Sequence, residues 1–314
     1  MKAQGLLLTT MIIVLTAAAG SAHAQGKANP NQVAILRWYK TNQVTNFNTG
    51  GSNPVRVAFD GFGIWFSNIN SANVSEIQAT NGIFYGLFAV GNNPVGLAYD
   101  GAKMWVANQG DNTVEALDAA NGSLLVGPIN VGTQPSDLAF DGANIWVTNE
   151  GSNTVSKLIA TSGAVLGTFL VGNAPVGVAF DGANIWVANA HSNNVTKLRA
   201  SDGTVLGTFA VGSTPIGVAF DGTNIWVTNA ASNNVTKLSQ AGKVLGTFAV
   251  GTDPQGIAFD GVNIWVANES GSVTKLLAST GANLGTFTVS GAPVGLAFDG
   301  ANIWVANEGN PAKL

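Results

Sequence analysis

No cysteine occurs anywhere in the 314 residues. That excludes disulfides, thiol catalysis and cysteine-based zinc sites, even in a chain bound for an oxidising compartment. Charge is scarce too: 13 Lys and Arg stand against 17 Asp and Glu, a formal net of −4. So thin and acidic a balance lacks the basic surface that nucleic acid selects. Nowhere does a sustained helical period appear, and no apolar run past the N-terminus is long enough, free of turn residues, to span a bilayer. Histidine is nearly absent: His23 lies in an N-terminal leader and His191 in the body of the chain.

The leader is compact. Lys2 is followed by an apolar stretch from Leu6 to Ala19 and by the small-x-small site Ala22-His23-Ala24. This predicts a secretory signal peptide over 1–24, a linker over 25–30 and one domain over 31–314. The product is expected to be exported, to the periplasm or beyond, without an integral membrane segment.

What the chain has in abundance is repetition. Phe/Tyr-Asp-Gly occurs seven times, with its aspartate at Asp60, Asp100, Asp141, Asp181, Asp221, Asp260 and Asp299, at intervals of 39 to 41 residues. Each is preceded by a proline, from Pro54 to Pro293, and followed by a tryptophan, from Trp65 to Trp304. A period near 40 with four short strands per unit predicts propeller blades. In one unit, 216–220 reads as strand A, 225–229 as B, 235–238 as C and 244–250 as D, with Asp221-Gly222-Thr223-Asn224 as a tight turn. The fold class expected is all-β: a seven-bladed propeller of four-stranded antiparallel blades, with residues near 33–48 completing the C-terminal blade and closing the ring.

The strand B tetrads carry a resemblance. "WVTN" at 146–149 and 226–229, with "WVAN" at 105–108, 186–189, 265–268 and 304–307, resembles the Tyr-Val-Thr-Asn tetrad of the YVTN-repeat (YncE-like) β-propeller family, tryptophan replacing tyrosine. The match covers 31–314 and implies a seven-bladed propeller. A related family, the virginiamycin B (streptogramin) lyases, has similar repeats, and that likeness implies a divalent metal and a histidine base at the channel mouth. Here strand B ends in Asn where those repeats tend to carry Glu, and no Glu-x-His pair is present.

Catalytic motifs are missing: no Walker loop, no Gly-x-Ser-x-Gly elbow, no His-Glu-x-x-His. The seven turn aspartates read as turn chemistry rather than a cation ring. Lys157, Lys197, Lys237 and Lys275 share one strand C position, where blade 1 has Glu76, and read as a solvated row. Departures from the repeat mark the candidate site. Arg56 and Asp137 replace the glycine of Pro-x-Gly, Gln255 follows Pro254, and Glu150, Glu269 and Glu308 follow the strand B asparagine. These six are expected to line a polar ligand-binding mouth on the face of the B–C and D–A loops. Arg56 and Asp137 could instead form an internal ion pair.

The functional expectation is a monomeric, secreted binding or interaction module for a small molecule, glycan or protein, needing no cofactor or metal. Two alternatives stay open: a metal-dependent lyase or lactonase using Glu150, Glu269, Glu308 and His191 at the same mouth, and a structural envelope component.

Overall fold

The computed structural model describes residues 47–308. The leader, the linker and the strand positions expected over 33–46 lie outside them. The regular secondary structure of the described residues is all strand apart from two single turns of 3-10 helix, at Glu150–Ser152 and Ala190–Ser192. Six four-stranded antiparallel sheets follow one another, spanning 54–89, 94–130, 135–170, 175–210, 215–249 and 254–288. A seventh sheet, Ala292–Phe298 paired with Ile303–Glu308, has two strands. Complete blades among the described residues therefore number six rather than the expected seven, because the strands assigned to finish the last blade fall almost wholly outside 47–308.

The innermost strands (A) pack side by side in a ring. That of the two-stranded sheet lies between the inner strand of blade 6, Pro254–Phe259, and that of blade 1, Pro54–Phe59. Sequence-read strand limits agree with the structure to within a residue; strand B of blade 5, for instance, runs Asn224–Asn229.

The repeated residues build each blade in the same way. Asp221 Oδ1 accepts the backbone N–H of Thr223 (2.9 Å) and Asn224 (2.6 Å), which shapes the A–B turn. Its other oxygen takes the indole N–H of Trp226 at 2.7 Å. All seven aspartates make this indole bond, at 2.7 to 2.9 Å. The carboxylate ring is thus engaged in turn formation and in holding the tryptophans, which lie buried between blades. Burial alone would raise the carboxyls of Asp141, Asp181, Asp221 and Asp260, but the indole, backbone and asparagine donors outweigh it and hold them below the ordinary value.

The lysine row is not solvated. Lys157, Lys237 and Lys275 are at most 9% exposed, and in blades 3 to 6 the ammonium sits 4.8 to 5.2 Å from the centre of the tryptophan of its own blade. Lys157 Nζ donates to the carbonyls of Ala200 (2.7 Å) and Ser201 (3.0 Å) in the next blade. Lys197 reaches Gln240 O at 2.7 Å, and Lys237 reaches Ala278 O at 2.7 Å. The aliphatic stem covers the indole while the ammonium meets carbonyls where the neighbour's strand C bends toward D. These lysines tie each blade to the next.

A phenylalanine of strand D completes the stack. Phe88, Phe169, Phe209, Phe248 and Phe287 lie 5.2 to 6.0 Å from the tryptophans of their own blades. Trp304 of the two-stranded sheet has Phe47 at 5.3 Å instead.

Candidate binding site

The B–C and D–A loops share one face and are zipped together by backbone hydrogen bonds. Examples are Glu150 N–H to Gln134 O (2.9 Å), Ala190 N–H to Ala174 O (2.8 Å) and Glu269 N–H to Asp253 O (2.9 Å). Strand A starts from this face beside the axis. Its third residue is glycine in most blades because the neighbouring inner strand crowds it: a Cβ on Gly177 would run into the Ile216 carbonyl, and one on Gly217 would meet Gln255 O at 2.6 Å.

Arg56 and Asp137 occupy this same position in blades 1 and 3. In blades 2, 4, 5 and 6 strand A leaves the ladder just after its proline, whereas Arg56 pairs opposite Ser67 and Asp137 opposite Thr148. The strand B hydroxyls support that pairing. Arg56 N–H donates to Ser67 Oγ at 3.2 Å and Asp137 N–H to Thr148 Oγ1 at 3.0 Å. Each hydroxyl also donates to the next blade's strand A, to Val95 O and Val176 O respectively, both at 2.6 Å. Pairing thus resumes at Arg56 and Asp137, just past the register shift that follows the proline.

The two charges do not touch. The Arg56 guanidinium donates to Val55 O at 3.3 Å, which leaves its other N–H groups without an acceptor among the described residues. Asp137 Oδ1 accepts Leu138 N–H at 3.0 Å, and its Oδ2 makes a longer 3.4 Å contact with Val178 N–H in blade 4. Blade 2 and its Gly96 stand between them, so the internal ion pair weighed from the sequence does not form. Enclosure pushes the Asp137 carboxyl up from its ordinary value; the Arg56 charge, then the two backbone amides, oppose that rise without cancelling it.

Gln255 and Glu269 do meet. Gln255 Nε2 donates to Asp253 Oδ1 at 2.7 Å and to Glu269 Oε2 at 3.2 Å, forming a polar cluster in blade 6. Glu150 opens the short helix of blade 3, on a different blade, and Glu308 ends the last strand opposite Ala292. His191 is exposed on blade 4. Among the described residues, no three of His, Cys, Asp and Glu gather as metal ligands. The six sequence candidates thus resolve into an axial pair and a blade 6 cluster, with Glu150 and Glu308 apart on two other sheets.

Sequence reasoning passed over one further feature. A cleft of about 390 Å³ beside blade 2 is lined by Gly91, Asp111, Glu115 and Pro128 among others. Its carboxylates are engaged. Glu115 Oε1 accepts Gly91 N–H and Asn108 Nδ2, both at 2.8 Å, and Asp111 Oδ2 accepts Asn92 N–H at 2.6 Å. The available signal was Glu115 itself, which stands where other strands C carry Ser75, Ser156, Thr196, Thr236 and Thr274.

Comparison with known proteins speaks to shape. The shared feature is the fold. A hydrazine synthase structure from Kuenenia stuttgartiensis has a TM-score of 0.71 at 18% identity, covering 85% of this chain and 96% of that one. A streptogramin B lyase structure has a TM-score of 0.72 at 17% identity, covering 84% and 94%. A catalytically inactive histidine-to-alanine variant of virginiamycin B lyase from Staphylococcus aureus, with quinupristin, has a TM-score of 0.72 at 18% identity, covering 85% and 95%. No family model and no curated protein matches the sequence. Identities this low establish a common architecture and carry no activity across.

Proposed function

We propose that this protein is an exported, seven-bladed, YVTN-repeat (YncE-like) propeller that binds a small polar molecule at its axial mouth and performs no chemistry on it. The observation that carries this is the pair Arg56 and Asp137. They replace the axial glycine in blades 1 and 3, they do not contact each other, and the guanidinium keeps N–H donors without acceptors among the described residues. A ligand with an anionic group for Arg56 and a hydrogen-bond donor for Asp137 would bridge them. Gln255 and Glu269 add polar contacts at the rim. Export rests on the leader sequence. The seventh blade is supported by Phe47, which meets Trp304 as a strand D phenylalanine meets its own tryptophan.

The lyase or lactonase and the envelope-component alternatives draw on shape alone, since no three of His, Asp and Glu gather as metal ligands among the described residues. The test is a thermal-shift screen of small carboxylic acids, amino acids and acidic sugars, followed by calorimetry on Arg56→Gly and Asp137→Gly. Both substitutions restore the repeat, so near-native melting with at least tenfold weaker binding is expected. Binding that survives both substitutions, or no ligand found by the wild type, would overturn the proposal.

A further inference from the structure

On the opposite face, three departures from the repeat converge on one turn aspartate. In every other blade the A–B aspartate is contacted by a side-chain nitrogen from the residue that follows the turn. Asn144, Asn184, Asn224, Asn263 and Asn302 reach theirs through Nδ2, and Lys103 lies 3.0 Å from Asp100. Blade 1 has Gly63 at this position, so Asp60 keeps only its two backbone donors and the Trp65 indole. The space is not empty. A Cβ on Gly63 would run into Glu76 Oε1, so the carboxyl of Glu76 fills the place of the missing amide.

Glu76 is itself the second departure, standing opposite Trp65 where blades 3 to 6 carry the inter-blade lysine. It is 3% exposed, and no hydrogen bond among the described residues reaches its carboxyl. Burial, and then the charge of Asp60, push it up to about 7. The third departure is Tyr99, where the other six blades have phenylalanine before the turn aspartate. Tyr99 packs against the Trp65 cluster, and burial followed by the charges of Asp60 and Asp100 raises its hydroxyl above the ordinary value. One nitrogen donor lost and one carboxyl gained leave the Glu76 carboxyl in the space beside Asp60 that a side-chain nitrogen fills in the other blades.

We propose that Asp60 and Glu76, beside Tyr99, form a binding site for a hard divalent cation, Ca²⁺ or Mg²⁺, in the seam between blades 1 and 2. The donor set is oxygen only, which selects these ions over softer metals. One lone pair of Asp60 Oδ2, taken by a side-chain nitrogen in the other blades, is available here. By the repeat, the carbonyls of Ala119 and Ala120 stand where Ala200 and Ser201 accept Lys157, and Glu76 gives them no ammonium. The ion would supply that missing charge, with water completing its shell. The site is independent of the axial mouth.

The experiment is thermal melting of chelator-treated protein at pH 8 with CaCl₂, MgCl₂ or KCl at matched ionic strength. Glu76→Gln, which keeps the shape, and Gly63→Asn, which restores the amide of the repeat, are measured alongside. A saturating divalent ion is expected to raise the wild-type midpoint by about 3 °C or more above KCl. The rise is expected to vanish in both variants and to persist in Arg56→Gly. No divalent-specific rise in the wild type would mean that Glu76 and Asp60 share only a proton, and would overturn the proposal. An equal rise in Glu76→Gln would place the ion elsewhere and overturn it as well.

Discussion

Replacing Lys157 by methionine keeps the stem over Trp146 and removes the ammonium. Two bonds to buried carbonyls are lost, at 2.7 and 3.0 Å, together with a cation–π contact at 5.1 Å. Hydrogen bonds to charged groups contribute about 1.5–3 kcal/mol each, and a cation over an indole about 0.5–2 kcal/mol. Against these stands the cost of burying an ammonium at 5% exposure, which methionine does not incur. The net loss expected is about 2 kcal/mol, a fall in melting midpoint of about 4–8 °C for a domain of this size. Lys197 is more exposed and reaches a single carbonyl, so Lys197→Met should cost about half as much. Differential scanning fluorimetry on the two variants reads both the size and the order. A Lys157→Met protein that melts with or above the wild type would show that desolvation cancels the tie, and the account of the lysines as inter-blade links would fail.

Trp226→Phe removes the 2.7 Å bond to Asp221 and should cost about 1–3 kcal/mol in urea unfolding, beyond the effect of lost volume; Asp221→Ala in the phenylalanine background should then cost less than it does alone. Gly177→Ala drives a Cβ into the Ile216 carbonyl and should leave little folded protein on size-exclusion chromatography. Gly182→Ala, in open space at φ +95°, should cost only about 1 kcal/mol. Asp141, Asp181, Asp221 and Asp260 hold folded values below the unfolded ones, so their stabilisation is complete above about pH 4 and is lost as pH falls through the folded values. Melting followed from pH 6 to pH 2 should show a steep acid loss. A gradual, shallow decline would contradict four turns acting together.

The architecture was legible because its determinants are local and recur. Asp221 and Gly222 announce a turn wherever they stand, and alternating apolar residues announce strands. What escaped were contacts between blades, which no single repeat contains. The lysines read as solvated because charge on a strand ordinarily is, and only the neighbouring carbonyls of Ala200 and Ala278 show otherwise. The axial pair was found because Arg56 and Asp137 break a glycine pattern, yet its geometry depends on blade 2 lying between them. The Asp60 cluster was missed for a related reason: Gly63, Glu76 and Tyr99 are unremarkable singly, and only the fold brings them to one aspartate.

Phe47 and Trp304, at opposite ends of the described chain, share one stack. Phe47 also lies where a Cβ on Gly82 would meet it, as Phe88 lies against Gly122 and Phe248 against Gly281, so it touches blade 1 as well as the two-stranded sheet. Five tryptophans are covered by a phenylalanine made within the same forty-residue unit, whereas Trp304 is covered by one translated long before it. During synthesis Phe47 has no Trp304 to cover until the final strands emerge. A circularly permuted gene that begins at a D–A loop, just before Pro175, would place that phenylalanine and its tryptophan in adjacent sequence. The slow, distant encounter would become a local one, and refolding should then be limited by the new junction rather than by the old.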